Sequence, residues 1–93
     1  MTKSELISRL SKKIKLPKRD TRIIVDTVID AIKEALMRGE RIEIRGFGSF
    51  VVKHYDSYVG RNPKTGEKVP VPPKRLPFFK MSRLLLKYIN EET

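Results

Sequence analysis

The sequence predicts an α+β fold: two helices, then an antiparallel β-hairpin that ends in a free two-stranded ribbon, then a short last helix. Three observations predict it. Apolar residues recur at helical spacing through residues 3–38, the pattern switches to strict alternation at residue 41, and prolines crowd the strand that returns after residue 66. At 93 residues the chain has room for one domain, taken as 1–93, with the ribbon arm at about 56–75.

The first helix is expected from about Lys3 to Lys13. Thr2-Lys3-Ser4-Glu5 is a capping box, and Leu6, Ile7, Leu10 and Ile14 follow at helical spacing. Leu16-Pro17 breaks it, and Pro17 suits the first turn of a second helix running to about Arg38, with Gly39 just past its end. That helix has a narrow polar stripe of Arg22, Asp26, Asp30, Lys33 and Glu34. Its apolar surface, from Ile23 to Leu36, is wider than the roughly 100° stripe of a surface helix. So small a chain also buries too little surface to be comfortable alone. A homodimer is expected, in which second helices and sheet faces interlock; the alternative is a monomer covered by its own third helix.

Arg41-Ile42-Glu43-Ile44-Arg45 alternates as a half-buried strand does, Gly46-Phe47-Gly48 makes a turn, and Ser49–Val59 reads as one long second strand. Asn62-Pro63-Lys64-Thr65 reads as a type I turn, with Gly66 taking a positive φ after it. The return strand, Glu67–Arg75, carries Pro70, Pro72 and Pro73, which a central strand would not tolerate. The hairpin must therefore be a ribbon with both edges open. Such a ribbon is marginal in water and is expected to be mobile until a partner packs on it. Pro77, Phe78 and Phe79 are expected to bring the chain back to the core. Ser82 can cap a last helix carrying Leu84, Leu85, Tyr88 and Ile89, and Glu91-Glu92-Thr93 reads as a solvated tail.

The charge points to a polyanion. Lys and Arg total 21 against 11 Asp and Glu, a net +10. From Val51 to Arg83 the basic residues Lys53, Arg61, Lys64, Lys68, Lys74, Arg75, Lys80 and Arg83 face only Asp56 and Glu67, so the excess peaks on the ribbon. The absence of cysteine excludes disulfides and thiolate metal sites. No apolar run reaches the roughly 20 residues of a membrane span, and no secretory signal is visible, so a soluble, cytoplasmic protein is expected.

Catalytic readings fail one by one. His54 and Asp56 could orient a base, but no nucleophile is indicated nearby. Asp26, Asp30 and Glu34 share a helical stripe, yet Arg22, Lys33 and Arg38 lie three or four residues from them, which favours ion pairing over a metal site. The Gly60–Gly66 segment departs from a phosphate loop in glycine spacing and has Glu67 where lysine is needed. No enzyme, metal or cofactor is expected. A helix-turn-helix also fails, because the second helix spends its surface on Ile, Val and Leu.

The ribbon suits double-stranded DNA. It can lie along a groove with Arg and Lys meeting phosphates on both walls. Pro63, between Arg61 and Lys64, can be a rigid apolar wedge of the kind that unstacks a base step, or simple turn chemistry; the two are compatible. RNA binding, in a ribosome-associated module for example, is the alternative.

Three segments carry a resemblance: Arg41-Ile42-Glu43-Ile44-Arg45-Gly46-Phe47-Gly48-Ser49-Phe50, Gly60-Arg61-Asn62-Pro63-Lys64-Thr65-Gly66 and Pro77-Phe78-Phe79-Lys80. Together with the Thr-Lys-Ser-Glu-Leu opening, they make the chain resemble the bacterial HU/integration host factor (histone-like DNA-binding) family over its whole length. The resemblance implies an intertwined dimer with a helical base, a three-stranded antiparallel saddle and protruding two-stranded β-ribbon arms that wrap the minor groove. It implies that Pro63 of each subunit intercalates, with Arg61, Asn62 and Lys64 around it, and that Arg45 and Gly46 approach the DNA on the saddle. Lys80, Arg83 and the helix N-terminus near Lys3 would clamp flanking phosphates. Arg41, Lys53, Lys68, Lys74 and Arg75 complete the expected DNA-binding set. Arg41-Glu43-Arg45 resembles the sequence-preferring integration host factor β subunit more than typical HU, which makes Glu43 and Arg45 the candidates for site preference and a heterodimer with a related subunit an alternative. The role implied is nucleoid compaction and assembly of recombination, replication or transcription complexes. The chain departs from the family at Tyr55, Asp56 and Tyr58, where basic residues are common, and at Met81-Ser82 in place of Pro-Gly. Pro70 and Pro73 are additional and are expected to stiffen the arm.

Overall fold

Helix α1 (Lys3–Ile14) starts where its cap places it: Thr2 is extended, and its Oγ1 accepts from the Glu5 amide at 3.1 Å. The computed structural model describes residues 1–91, so Glu92 and Thr93 of the expected tail lie outside the described residues. The helix stops at Lys15, which adopts the left-handed conformation (φ 56°). There Ser11 takes over, its carbonyl accepting from the Leu16 amide at 3.2 Å and its hydroxyl donating to the Leu16 carbonyl at 2.5 Å. Helix α2 (Lys18–Met37) begins one residue after Pro17, whose carbonyl accepts both the amide and the hydroxyl of the fully buried Thr21 at 3.0 Å. It ends as expected, with Gly39 at φ +76° and its amide on the Leu36 carbonyl at 3.0 Å.

The chain forms two compact units, one of residues 1–35 and one from Leu36 onward. In the first, Ile7, Val25 and Ala35 are buried, while Ile23 and Val28 of α2 stay 60% and 54% exposed. One ionic tie links α1 to α2, between Lys3 Nζ and Asp26 Oδ1 at 2.5 Å. Helical spacing pairs Asp26 with residues of its own helix, so the reading that assigned the stripe to Arg22, Lys33 and Arg38 is corrected for Asp26. Asp30 does pair with Lys33, at 4.0 Å.

The second unit holds five strands: β1 (Ile42–Ile44), β2 (Gly48–Tyr55), β3 (Tyr58–Arg61), β4 (Lys68–Val71) and β5 (Lys74–Met81), then helix α3 (Arg83–Asn90). β1, β2 and β5 form an antiparallel sheet in the order β1-β2-β5, and β3 with β4 forms a separate two-stranded ribbon. Here three expectations are corrected. The strand expected over Ser49–Val59 is interrupted at Asp56-Ser57, and the return strand is interrupted at Pro72-Pro73. Pro77-Phe78-Phe79 does not leave the sheet but continues β5 to Met81, with Pro77 opposite Val52. An edge strand such as β5 accommodates a proline that a central strand would not.

The interruption follows from the register. β2–β5 pairing runs from Gly48↔Met81 out to Tyr55↔Lys74, and β3–β4 pairing resumes at Tyr58↔Val71 and ends at Arg61↔Lys68. The ladder resumes without a slip, so the two missing rungs are Asp56 with Pro73 and Ser57 with Pro72. Asn62 bonds Glu67, so by alternation Asp56/Pro73 falls at a hydrogen-bonded position, where Pro73 has no amide hydrogen to give. The arm is one hairpin in one register with two rungs removed.

Alternation sorts the three-stranded sheet into two faces. Ile42, Ile44, Phe50, Val52, Pro77, Phe79 and Met81 share one, where the Phe79 ring packs 4.9 Å from Phe50 and 5.2 Å from Phe47. Gly48 is required beneath that ring: a Cβ there would come within 2.5 Å of the Lys80 carbonyl and 2.6 Å of Phe79 Cζ. The other face carries Glu43, Ser49, Lys53 and Lys80 beside Val51, Leu76 and Phe78. Its polar side chains make it the face that can meet a charged partner.

Candidate nucleic-acid interface

The tip of the arm is built by local hydrogen bonds. Asn62 sits at the end of β3 and uses its backbone twice: its amide donates to the Glu67 carbonyl at 2.9 Å, and its carbonyl accepts from the Gly66 amide at 2.7 Å. Its side chain adds a third tie, Oδ1 accepting from the Lys64 amide at 2.9 Å. Thr65 Oγ1 accepts from the Glu67 amide at 3.3 Å, and Gly66 takes φ +73° as expected. The closure spans Asn62 to Gly66, one residue wider than a type I turn closed on Thr65. Pro63 therefore stands at the exposed end of a braced loop, with Lys64 beside it.

Just behind the tip, Arg61 and Lys68 are directly opposite and project from the same face. Like charges so placed repel. At about 5 Å in water the repulsion is on the order of 0.8 kcal/mol, and an anion between the two cations would relieve it.

A second group of expected residues converges at the Gly46 turn. Gly46 has φ +83°, and the Phe47 amide donates to the Ile44 carbonyl at 3.0 Å, turning β1 into β2. The Ser82 amide donates to the Phe47 carbonyl at 2.9 Å, which brings the start of α3 to the same turn. The result is an open recess of about 510 Å³ lined by Arg41, Glu43, Arg45, Gly46, Ser49, Lys80 and Ser82 among others. Arg41 reaches Glu43 Oε1 at 3.0 Å and Ser49 Oγ at 3.5 Å, so Glu43 offsets one of three cations and leaves Arg45 and Lys80 to set the sign. Ser82 caps α3 by accepting from the Leu85 amide at 3.1 Å, with Arg83 in the first turn.

The remaining expected residues lie apart from these clusters. Lys53 Nζ is 3.8 Å from the centre of the Phe78 ring, a cation–π contact on the polar sheet face. Lys74 is opposite Tyr55 at the root of the arm. Arg75 donates from Nη1 to the Met37 carbonyl at 3.3 Å, supplying a cation to the last turn of α2, which has no basic residue of its own. Lys3 is held by Asp26. Sequence reasoning named Ser82 only as the cap of α3 and passed over Ser49. Ser49 was recoverable, since alternation puts it on the Glu43 face once β1 and β2 are joined at Gly46.

A sheet with one cationic face, extended by a free ribbon with a cationic tip, defines a β-ribbon protein that grips a polyanion. Comparison with known proteins gives the polyanion. The family model described as "Bacterial DNA-binding protein" matches residues 1–90. The integration host factor subunit beta of Nitrosomonas eutropha is 50% identical over 91 residues, covering 97% of this chain and 87% of that one. That of Dechloromonas aromatica is 49% identical over 92 residues, covering 98% of both. Among solved structures, an Anabaena HU–DNA cocrystal structure superposes with a TM-score of 0.87 at 30% identity, over 99% of this chain and 100% of that one. HU from Thermotoga maritima gives 0.68 at 32% identity, over 97% and 100%. The chain belongs to the bacterial DNA-binding protein family of HU and integration host factor, and is an architectural DNA-binding protein rather than an enzyme.

Proposed function

We propose that this protein bends double-stranded DNA as a dimer, its arms wrapping the minor groove and Pro63 of each entering a base step. The observation that carries the reading is the tip itself. Pro63 projects from a loop braced by Asn62 and Thr65, two residues beyond Arg61 of the Arg61–Lys68 rung. A rigid apolar ring delivered between phosphate-binding cations is what partial unstacking needs. Arg61, Asn62, Lys64 and Lys68 would hold the groove at the tip, and Lys53, Lys74 and Arg75 would serve at the root. Arg41, Arg45, Gly46, Lys80, Arg83 and Lys3 would take the flanking phosphates, with Glu43 and Arg45 adjusting site preference. The whole chain, 1–93, would act as one bending module.

The dimer is supported by what one chain leaves open. Ile23 is 60% exposed, Met37 72%, Tyr88 59% and Ile89 68%, against buried Ile7, Val25 and Ala35. A second subunit is the natural cover for so much apolar surface. The relatives named as beta subunits make a heterodimer with a related chain the counterpart to a homodimer. The cellular role that follows is in the cytoplasmic nucleoid: compaction, and assembly of bent recombination, replication or transcription complexes.

Replacing Pro63 with Ala tests the wedge. Fluorescence transfer between the ends of a labelled duplex should report a reduced bend, with affinity largely spared; an unchanged bend angle removes the wedge. Duplex RNA competing as well as duplex DNA would favour RNA binding instead, because A-form RNA has a wide, shallow minor groove unsuited to an inserted arm.

A further inference from the structure

Charge is distributed unevenly along the arm. The rungs from Asp56/Pro73 to Gly60/Val69 carry no cation, and Asp56 is their sole charge. Cations gather outside them, at the tip on Arg61, Lys64 and Lys68, and at the root on Lys53, Lys74 and Arg75. Six residue steps separate the Tyr55/Lys74 rung from the Arg61/Lys68 rung, which is about 20 Å of strand at about 3.3 Å per residue. A duplex presents about a dozen phosphates over that length. The middle of the arm is not built to meet them.

It is built to meet something apolar. Alternation puts Tyr58, Gly60, Val69 and Val71 on one face and Val59, Arg61, Lys68 and Pro70 on the other. The Tyr58 ring leans over Gly60: a Cβ on that glycine would sit 3.6 Å from Tyr58 Cε2 and 3.6 Å from Val71 Cγ2. Because Gly60 has no side chain, ring and valine can close over the backbone as one smooth surface. Tyr58 is still 58% exposed and Val69 43%.

We infer that the Tyr58–Val69–Val71 face is a dry contact surface for the deoxyribose wall of the DNA groove. Along each arm two groups of cations then flank an apolar span, with Arg61 and Lys68 on the face opposite to it. Arg61 and Lys68 reach phosphates around the ribbon edges on their flexible stems. The occupant is DNA rather than a second arm because the cation clusters at both ends of the span would repel their own copies. This rests on the groove-wrapping reading above and names its apolar contact.

The test separates apolar from ionic contributions through salt dependence. Tyr58→Ala should weaken binding to a labelled duplex on the order of tenfold at every salt concentration, leaving the slope of log K against log[salt] unchanged. Tyr58→Arg should steepen that slope by about 0.9 per arm. Val69→Ala, on the same face, should weaken binding in the same salt-independent way, and Val59→Ala, on the opposite face, should match the parent. Parent-like affinity in both Tyr58→Ala and Val69→Ala would overturn the inference while leaving groove wrapping intact. So would loss confined to Val59→Ala. Self-association without DNA that disappears in Tyr58→Ala would give the face to a second copy and also overturn it. A parent that fails to bind duplex DNA would remove both readings.

Discussion

Removing one cation of the Arg61–Lys68 rung should show how much of the grip at the tip is counterion release. The two side chains are directly opposite on one face, so Lys68→Ala removes a phosphate partner and relieves the repulsion with Arg61 in the free arm. Two arms of a dimer lose two contacts, and at about 0.9 per contact the slope of log K against log[salt] should become shallower by about 1.8. If the parent neutralises about ten phosphates, its slope is near −9 and that of the variant near −7. Between 50 and 200 mM salt the advantage of the parent over the variant should therefore shrink about twelvefold. Fluorescence anisotropy of a labelled duplex over four or five salt concentrations measures this directly. The tip loop is tied by Asn62 and Thr65 rather than by Lys68, so its geometry should persist. A variant slope within about 0.5 of the parent value would refute the reasoning, since Lys68 would then face water in the complex. A parent slope shallower than about −3 would sink the electrostatic account as a whole.

Other perturbations probe the supporting structure. Gly48→Ala forces a methyl into the Lys80 carbonyl and the Phe79 ring, and should cost roughly 1–3 kcal/mol in urea unfolding at fixed protein concentration; an unchanged midpoint would mean that the sheet face is not packed there. Asp26→Ala frees Lys3. An exposed pair is worth at most about 1 kcal/mol, so duplex affinity at low salt should rise, by no more than about fivefold; a fall would show that Asp26 positions Lys3 rather than competing for it. The Glu40 carboxyl is held below the usual carboxylate range, first by its hydrogen bond from Arg38 and then by the charge of that guanidinium. Its small contribution to stability is thus present above the ordinary carboxylate value and is lost as pH falls through the lowered one. An NMR titration should place its midpoint below that of a free glutamate, and Arg38→Ala should move it back up.

The features legible in the sequence are those decided within a few residues. Thr2 and Ser82 cap the helices they precede because a side-chain oxygen meets an amide three residues on, and Gly39 ends α2 because it alone there takes a positive φ freely. The charged tip was legible for the same reason. What escaped was decided across the chain. Asp26 finds Lys3 on another helix, 23 residues away, and Arg75 finds the Met37 carbonyl, 38 residues away. No rule of helical or strand spacing reaches that far. The length of β5 escaped because Pro77 reads as a strand breaker until the sheet order makes its strand an edge.

The prolines of the return strand show the difference between a local property and a paired one. Read locally, Pro70, Pro72 and Pro73 each fix φ near −65° and stiffen the strand. Read across the hairpin, Pro73 cannot donate to Asp56, and the pairing lapses over the two rungs where Pro72 and Pro73 stand. Both effects act at once, on different degrees of freedom. Along the strand the chain is rigid; across the strands nothing ties Asp56 and Ser57 to it. Bending would then concentrate at the missing rungs, between a root continuous with the three-stranded sheet and a four-rung ribbon that ends in the braced Pro63 loop. The outer ribbon can tilt as a unit while the relation of Pro63 to Arg61 and Lys68 is preserved. An arm that follows a curved groove and presents its wedge at a fixed angle to its phosphate anchors, as proposed above, would need that combination. Tyr58, Val69 and Val71 lie on the same four-rung ribbon, so the sugar contact and the wedge insertion proposed above would be coupled through one joint.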